Sequence, residues 1–380
     1  MDLVRTGRGR DLRVDFFRGA ALWWIFVDHI PGNVMALLSL HMVALNDAAE
    51  VFVLLAGFGA AKAYGAAMER HGWFYGAADA LKRAFTLYIA HIFLFVVYAA
   101  QVSNSVASLD RSTYLDESRL DVLAQAPYRA LLEALTLRYQ PSLLNILPLY
   151  VILLALFALA LPLLRRPRLL LGLSAALYLA ARMWEWNLPG WRGTGWYFDP
   201  LTWQFLFVIG AVLAHAPPDL SRHRRAFDIA AGAMLAFGLI LKYVIWPHPA
   251  LVTWLPISYA HALLWMDKTN LDPPRIASIL ALVWVTVRLV PAEARWLLSR
   301  PARLLVLAGQ HSLPVFCWGI FLGFFARLGL EVDDGTGMQI AVNLGGALAL
   351  LAVAATAAWY AGAGRARRAA PAMVPAREGE

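Results

Sequence analysis

The chain has 380 residues, of which 60% are hydrophobic and 15% charged, and it carries a formal net charge of +8. Soluble domains are about half apolar and about a quarter charged, so this composition excludes an ordinary soluble domain and predicts a polytopic membrane protein. The basic residues lie between apolar runs, which argues against nucleic acid as a partner, and the single cysteine, Cys317, excludes a disulfide framework.

Apolar runs that alternate with basic connections predict an all-α fold, a polytopic transmembrane helix bundle of about ten spans. Residues 1–13 are predicted to form a cytosolic basic segment, 14–362 a transmembrane domain, and 363–380 a cytosolic basic tail. The first span is expected at about 16–37, with a break near Pro31-Gly32. Later spans are expected at about 48–67, 84–101, 143–164, 169–187, 201–216, 227–246, 276–291, 304–328 and 338–361.

The connections between these runs predict which side of the membrane they occupy. Residues 68–83 are basic and are expected in the cytosol. Residues 102–141 carry charges of both signs and are expected outside, with a short amphipathic helix near 120–138. The stretch 250–266 is apolar but short; if it crosses, there are eleven or twelve spans and the basic clusters that follow fall outside. Because basic connections belong inside, ten spans are favoured.

Six ionisable residues lie in or beside the first two apolar runs: Asp15, Arg18, Asp28, His29, Asp47 and Glu50. A charge inside a bilayer costs at least a few kcal/mol, so such residues usually face a bundle interior and mark function. Ten residues separate Arg18 from His29, which corresponds to about 16–17 Å along a helix. Arginine binds anionic groups and histidine transfers protons, so this pair can hold the two ends of an extended ligand. Alternatively, Arg18 is a snorkelling charge paired with Asp15 or Asp47, and His29 is hydrogen-bonded at a helix break.

The acidic residues can be interpreted either as groups that act on His29 or as structural groups. Asp28 precedes His29 directly, and adjacent helical side chains diverge by about 100°, so the two need not touch. Asp47 and Glu50 lie three residues apart on one helical face; either can orient His29, and Asp47 can instead cap the second helix. His91 and His311 lie within apolar runs and are either buried core histidines or members of the site. No spacing predicts a metal site, and no nucleotide-binding or hydrolase motif is present.

Several segments resemble the OpgC proteins, which modify osmoregulated periplasmic glucans. The first is RVDFFRGAALWWIFVDHIPGN at 13–33, and the others lie at 46–58, 86–95, 137–154, 198–211, 267–275 and 309–319. Because these segments follow one another in order over nearly the whole chain, the likeness is not a chance match.

The resemblance implies a bacterial inner-membrane O-acyltransferase with cytosolic termini that succinylates the glucan on its periplasmic side. The implied donor is an acyl-CoA, succinyl-CoA in particular, with no bound cofactor; membrane lipid and glucan-synthesis proteins are further expected partners. The family is similar to the acyltransferase-3 group, whose signature is an arginine and a histidine ten residues apart on the first span. Arg18 and His29 occupy those positions, which implies donor positioning for Arg18 and a role as base or transient acyl carrier for His29.

The resulting candidate sites are as follows. The candidate catalytic residues are His29, Asp28, Glu50 and Asp47. The candidate substrate-binding residues are Arg18, Asp15, His91, His311, Trp184, Trp191 and Trp196. The tryptophans belong to an aromatic outer turn at 184–198, which either stacks on sugars or forms an interfacial belt.

Two positions depart from the acyltransferase-3 pattern. Ala56 stands where relatives carry a serine, which argues against a serine nucleophile there. Gln310 replaces an arginine and removes a charged contact to the donor. The alternative function is an ion- or proton-coupled transporter or flippase of glycan or organic acid, but the chain shows no internal repeat.

Overall fold

A computed structural model describes residues 11–109 and 111–369 of the chain. Most of the two predicted cytosolic segments, residues 1–10 and 370–380, lie outside the described residues. The described part contains helices and turns but no β-strand, with one isolated antiparallel bridge between Pro189 and Gly195. The prediction of an all-α fold is therefore confirmed.

Thirteen helices of eight residues or more organise the described part of the chain. They are α1 (Leu12–Asp28), α2 (Ala48–His71), α3 (Trp73–Leu109), α4 (Pro127–Leu135), α5 (Ile146–Arg165), α6 (Pro167–Met183), α7 (Pro200–His215), α8 (Ser221–Ile245), α9 (Ile257–Leu264), α10 (Pro273–Leu289), α11 (Arg300–Gln310), α12 (Ser312–Val332) and α13 (Thr336–Ala369).

Six of these helices are long and apolar enough to cross a membrane: α2, α3, α5, α8, α12 and the part of α13 at Thr336–Ala363. Their length and composition support the prediction of a membrane protein. The number of about ten spans is not established by these six helices alone.

Several predicted boundaries agree with the structure. The break near Pro31-Gly32 is confirmed, because α1 ends at Asp28 and Gly32 adopts a left-handed conformation with φ +78°. The short amphipathic helix expected near 120–138 is α4.

One predicted span is interrupted, and two predicted connections contain helix. The connection at 68–83 is helical, with only Gly72, at φ +92°, between α2 and α3, and its position in the cytosol stays a prediction. The expected span at 304–328 is broken at His311 into α11 and α12. The stretch 250–266 contains only the eight-residue helix α9, which rises about 12 Å against a hydrocarbon core of about 30 Å. Helix α9 is therefore shorter than a membrane span, which agrees with the favoured prediction that 250–266 does not cross.

The chain divides into two compact units. Among the described residues, the first contains 11–23 and 292–369, and the second contains 24–109 and 111–291. Helix α1 begins in the first unit and ends in the second. Within the first unit, Gly19 of α1 lies against the backbone of Leu305, and Gly309 of α11 lies against the backbone of Asp15. Glycine at both positions lets α1 and α11 approach to backbone contact.

The core of the second unit is built around a similar contact between α2 and α7. Gly57 of α2 faces the carbonyl group of Phe207, and Gly210 of α7 faces the carbonyl group of Leu54. A side chain at either glycine would overlap a backbone carbonyl, which cannot move without displacing its helix. This reciprocal contact holds the start of α2, where Asp47 and Glu50 lie, in a fixed position.

Replacement of Gly57 by alanine is expected to destabilise the protein, because the added methyl group overlaps the Phe207 carbonyl oxygen. Overpacking of this kind typically costs about 1–3 kcal/mol, so the melting temperature in detergent should fall. Gly172→Ala on α6 is the matched control, since no heavy atom lies within 4 Å of a Cβ added there. A Gly57→Ala protein that melts with the wild type would contradict this account of the contact.

Candidate functional site

The start of α2 carries two of the predicted catalytic acids in a capping box. The Oδ1 atom of Asp47 accepts a hydrogen bond from the backbone N–H of Ala49 at 2.8 Å. The Oε2 atom of Glu50 accepts the backbone N–H of Asp47 at 3.0 Å. These bonds satisfy amide groups that a helix start leaves without partners, so the predicted capping role of Asp47 is confirmed.

Two cations complete an ion cluster with these acids: Lys268 and Arg275. The Nε atom of Arg275 donates to Glu50 Oε1 at 2.7 Å, and its Nη2 atom contacts the same oxygen. Lys268 Nζ pairs with Asp47 Oδ2, from which Arg275 Nη2 lies 3.8 Å away. Glu50 is fully buried and Arg275 is 8% exposed, so the Glu50–Arg275 pair lies in a low-dielectric interior.

The opposite charges of Asp47 and Lys268 favour each other's ionised forms. Burial disfavours the charged form of Asp47, but Lys268 and Arg275 outweigh it and hold the pKa of the Asp47 carboxyl below its usual range. Burial also acts against the charge on Lys268, and the carboxylates of Asp47 and Glu50 outweigh it, so the Lys268 pKa is raised. The Asp47–Lys268 contact is therefore an ion pair near neutral pH.

Backbone contacts in the loop between α9 and α10 fix the position of Lys268. Trp203 is fully buried on α7, and its Nε1 atom donates to the carbonyl oxygens of Lys268 and Thr269, both at 3.1 Å. The Asp267 carboxylate accepts the backbone N–H groups of Thr269 and Asn270 at 2.7 and 3.3 Å. The Lys268 backbone is therefore held on both sides. Its Nζ atom lies 5.3 Å from the centroid of the Phe198 ring.

The same unit contains His29, which follows the last residue of α1. Its backbone N–H donates to the carbonyl of Ile25 at 3.2 Å. Its Nδ1 atom is buried and has no hydrogen-bond partner among the described residues. The charges of Lys268 and Asp47 are both close enough to act on the ring. His29 thus has a buried ring nitrogen with no partner among the described residues, within electrostatic reach of the Asp47–Lys268 pair.

The Asp28 carboxylate contacts His41, in the connection that follows α1. Its Oδ1 atom is 3.2 Å from His41 Nδ1, and the Ser39 hydroxyl lies 2.6 Å from the same ring nitrogen. This contact ties the end of α1 to the connection that follows it. Whether Asp28 acts on His29 during catalysis stays a prediction.

The first unit contains the donor-side candidates Asp15, Arg18 and His311. Asp15 is 3% exposed, and its Oδ2 atom accepts from Gln310 Nε2 at 3.2 Å. Arg18 is half-buried one turn along α1, and His311 lies at the junction between α11 and α12. Gln310, the departure from the family pattern, therefore contacts an acid of α1 directly.

His91 is fully buried on α3, and neither of its ring nitrogens has a hydrogen-bond partner among the described residues. No hydrogen bond or ion pair joins His91 to the described residues of the ion cluster. Its proposed substrate role stays a prediction.

The three predicted tryptophans lie in different surroundings within the outer turn. Trp184 is 58% exposed and stacks on Trp186 at a centroid distance of 5.3 Å. Trp191 is half-buried between the ring of Tyr139 and the guanidinium of Arg129. Trp196 is only 5% exposed, so of the three only Trp184 offers an open ring face.

Sequence reasoning missed both cations of the ion cluster. Lys268 and Arg275 are more than two hundred residues from Asp47 and Glu50 along the chain, and only the packing of α10 against the start of α2 joins them. A signal was available in the segment DKTNLDPPR at 267–275, which places two cations at an edge of an apolar run.

These features define an all-helical protein with six helices able to cross a membrane by length and composition, and with a buried ion cluster at the start of one of them. The model of a protein family described as OpgC protein matches residues 10–362. The chain therefore belongs to the OpgC family. A search of curated proteins and a search of solved structures each found no match.

Proposed function

We propose that this protein is an inner-membrane O-acyltransferase that transfers a succinyl group from cytosolic succinyl-CoA to a hydroxyl of an osmoregulated periplasmic glucan. Membership of the OpgC family supports an acyltransferase activity. No bound cofactor is part of the proposal. Membrane lipid surrounds the enzyme, and glucan-synthesis proteins are proposed as further partners.

The observation that carries the mechanism is the unpartnered Nδ1 atom of His29 beside the Asp47–Lys268 pair. In the proposed reaction His29 takes the proton of the sugar hydroxyl, or carries the acyl group transiently. The ester bond to the sugar oxygen replaces the thioester bond, and the proton passes to the thiolate of coenzyme A. Arg18 positions the anionic donor, while Glu50, Asp47 and Asp28 fix the groups around His29.

The proposed topology has ten spans and cytosolic termini. Four helices of 16 or 17 residues, α1, α6, α7 and α10, join the six long ones to give this number. Such lengths lie at the lower limit for crossing a bilayer. In this order the connections 29–47, 184–199 and 246–272 all fall on one side, which the basic connections elsewhere assign to the periplasm.

Contacts between these three connections support the ten-span order. Lys268 pairs with Asp47, and the backbone N–H of Asp199 donates to the carbonyl of Thr269 at 3.1 Å. If residues 250–266 crossed the membrane, Lys268 would lie on the opposite side from Asp47. These contacts therefore support the proposal of ten spans over a crossing at 250–266.

A reporter fused after Ala363 is expected to lie in the cytosol, because an even number of spans returns the chain to its starting side. The fusion should show β-galactosidase activity and lack alkaline phosphatase activity. A second fusion after Asp334, in the short connection between α12 and α13, is the matched control and should show the reverse. Phosphatase activity at Ala363 would reject ten spans.

The activity itself is tested by mass spectrometry of periplasmic glucans from cells with and without the protein. We expect succinyl substituents only when the protein is present. Purified protein in proteoliposomes, supplied with labelled succinyl-CoA on one side and glucan on the other, should move label onto the glucan. A transporter would instead move glucan or organic acid across the bilayer and leave the glucan unlabelled.

A further inference from the structure

A cavity of about 420 Å³ opens beside the outer aromatic turn, within the second unit. Its lining is polar: the side chains of Arg182, Glu185, Asn187 and Asn270, with the backbone of Gly195. One wall is rigid, because the Asn187 side chain makes two hydrogen bonds to the backbone of Trp196, at 3.0 and 3.2 Å. The site therefore has a fixed shape and several hydrogen-bonding groups, as small-molecule sites do.

The charges around the cavity disfavour an anionic ligand. Arg182 is already engaged: its Nη2 atom donates to Asp272 Oδ1 at 2.6 Å and its Nη1 atom to the carbonyl of Asn270 at 2.9 Å. The Glu185 carboxylate forms no hydrogen bond or ion pair with another described residue. With Arg182 paired and the exposed Glu185 carboxylate unpaired, the cavity disfavours an anionic ligand and offers a hydrogen-bond acceptor to hydroxyl groups.

Glu185 is held in a backbone conformation that normally requires glycine. It follows the last turn of α6 with φ +53°, and the backbone N–H of Trp186 bonds to the carbonyl of Ala181 at 2.9 Å. This is the Schellman arrangement, in which the left-handed residue is usually glycine. A glutamate there carries backbone strain, and strain of this kind tends to occur at functional sites.

An aromatic surface borders the free carboxylate. Trp184 and Trp186 flank Glu185 in sequence, their rings stack with an interplanar angle of 24°, and both are about half exposed. Open aromatic rings beside hydrogen-bond acceptors match a pyranose, which has an apolar C–H face and a rim of hydroxyl groups.

The cavity is connected to the ion cluster by one short loop. Asn270 lines the cavity, and Lys268, two residues earlier, pairs with Asp47 beside His29. Trp203 and Asp267 hold the backbone between them. The cavity and the ion cluster therefore use residues of the same fixed loop.

We propose that this cavity is a binding subsite for a neutral gluco-oligosaccharide, with Glu185 accepting hydroxyl hydrogen bonds and Trp184 stacking on a sugar ring. The proposal rests on the proposed function, because it identifies the cavity as the place where the acceptor is held. It adds a location for the acceptor and a set of contacts at the outer turn.

The test measures direct binding to the full chain in detergent, by titration calorimetry with methyl β-glucoside, cellobiose, sophorose, laminaribiose and gentiobiose. Wild-type protein should bind at least one oligosaccharide. Glu185→Gly should weaken that affinity by about ten- to hundredfold, as expected for loss of a hydrogen bond to a charged group, while its melting temperature is equal or higher. Glu185→Gln keeps the size of the side chain and should weaken binding less.

The controls separate this proposal from the proposed function. His248→Ala should bind the oligosaccharide like the wild type, since it changes an exposed residue that does not line the cavity. Binding that is absent in the wild type, or unchanged in both Glu185→Gly and Trp184→Ala, would overturn the subsite even if the glucans are succinylated. Binding that requires Glu185 in a protein whose glucans are never acylated would support the subsite and reject the acyltransferase.

Discussion

Glucans from cells that carry only a His29→Ala protein are expected to lose their acyl substituents almost entirely. Positioned acid–base groups contribute about 10²–10⁴-fold to rate, and covalent carriers contribute at least as much, so either proposed role gives a large loss. The loss should lie in catalysis and not in folding. His29 is half-buried, and its Nδ1 atom has no hydrogen-bond partner that its removal would leave unsatisfied.

Matched variants make this expectation specific. His29→Gln keeps a side chain with hydrogen-bonding groups but cannot transfer a proton at neutral pH, so it should be as inactive as His29→Ala. His248→Ala removes an exposed histidine from the connection after α8 and should leave substitution of the glucans unchanged. The measurement is the mass spectrum of the glucans together with a melting curve of each protein. Fully substituted glucans from a folded His29→Ala protein would reject a mechanism centred on this residue.

Local chemistry explains which parts of the site were predictable. An aspartate followed three residues later by glutamate, just before an apolar run, is a capping-box signature, and Asp47 and Glu50 form that box. The break after α1 follows from Pro31 and Gly32, which disfavour a continuing helix. Both features depend on residues within one turn of each other.

The remaining features depend on long-range packing and could not be predicted. Arg275 meets Glu50 across 225 residues of sequence, and no local pattern selects this partner over the many other basic residues. The apolar run at 304–328 reads as one span, yet it breaks at His311. Helix α11, just before the break, contacts α1 through Gly309 and Gly19. A glycine in the sequence predicts a close helix contact only when the facing helix is already known.

Removal of one member of the Glu50–Arg275 pair is expected to destabilise the protein more than any other single charge change in the ion cluster. Breaking a buried pair typically costs about 3–5 kcal/mol, because the remaining charge stays buried without its partner. Glu50→Gln should lie near the lower limit: its amide can still accept the Asp47 N–H, and Asp47 lies 3.8 Å from Arg275. Arg275→Met should cost more, since the fully buried Glu50 then has no cation within salt-bridge distance.

The double variant Glu50→Gln/Arg275→Met tests whether the two side chains stabilise the protein as a pair or independently. If the cost of each single change comes from an unpaired buried charge, the double variant should be more stable than Arg275→Met alone, with a coupling free energy measurable by a double-mutant cycle in denaturant. Arg129→Gln on α4 is the control, because it alters an exposed ion pair with Glu133 and should have a much smaller effect. Additive single effects would show that the two side chains stabilise the start of α2 independently. In that case capping and packing, and not the buried charge pair, would fix the start of α2.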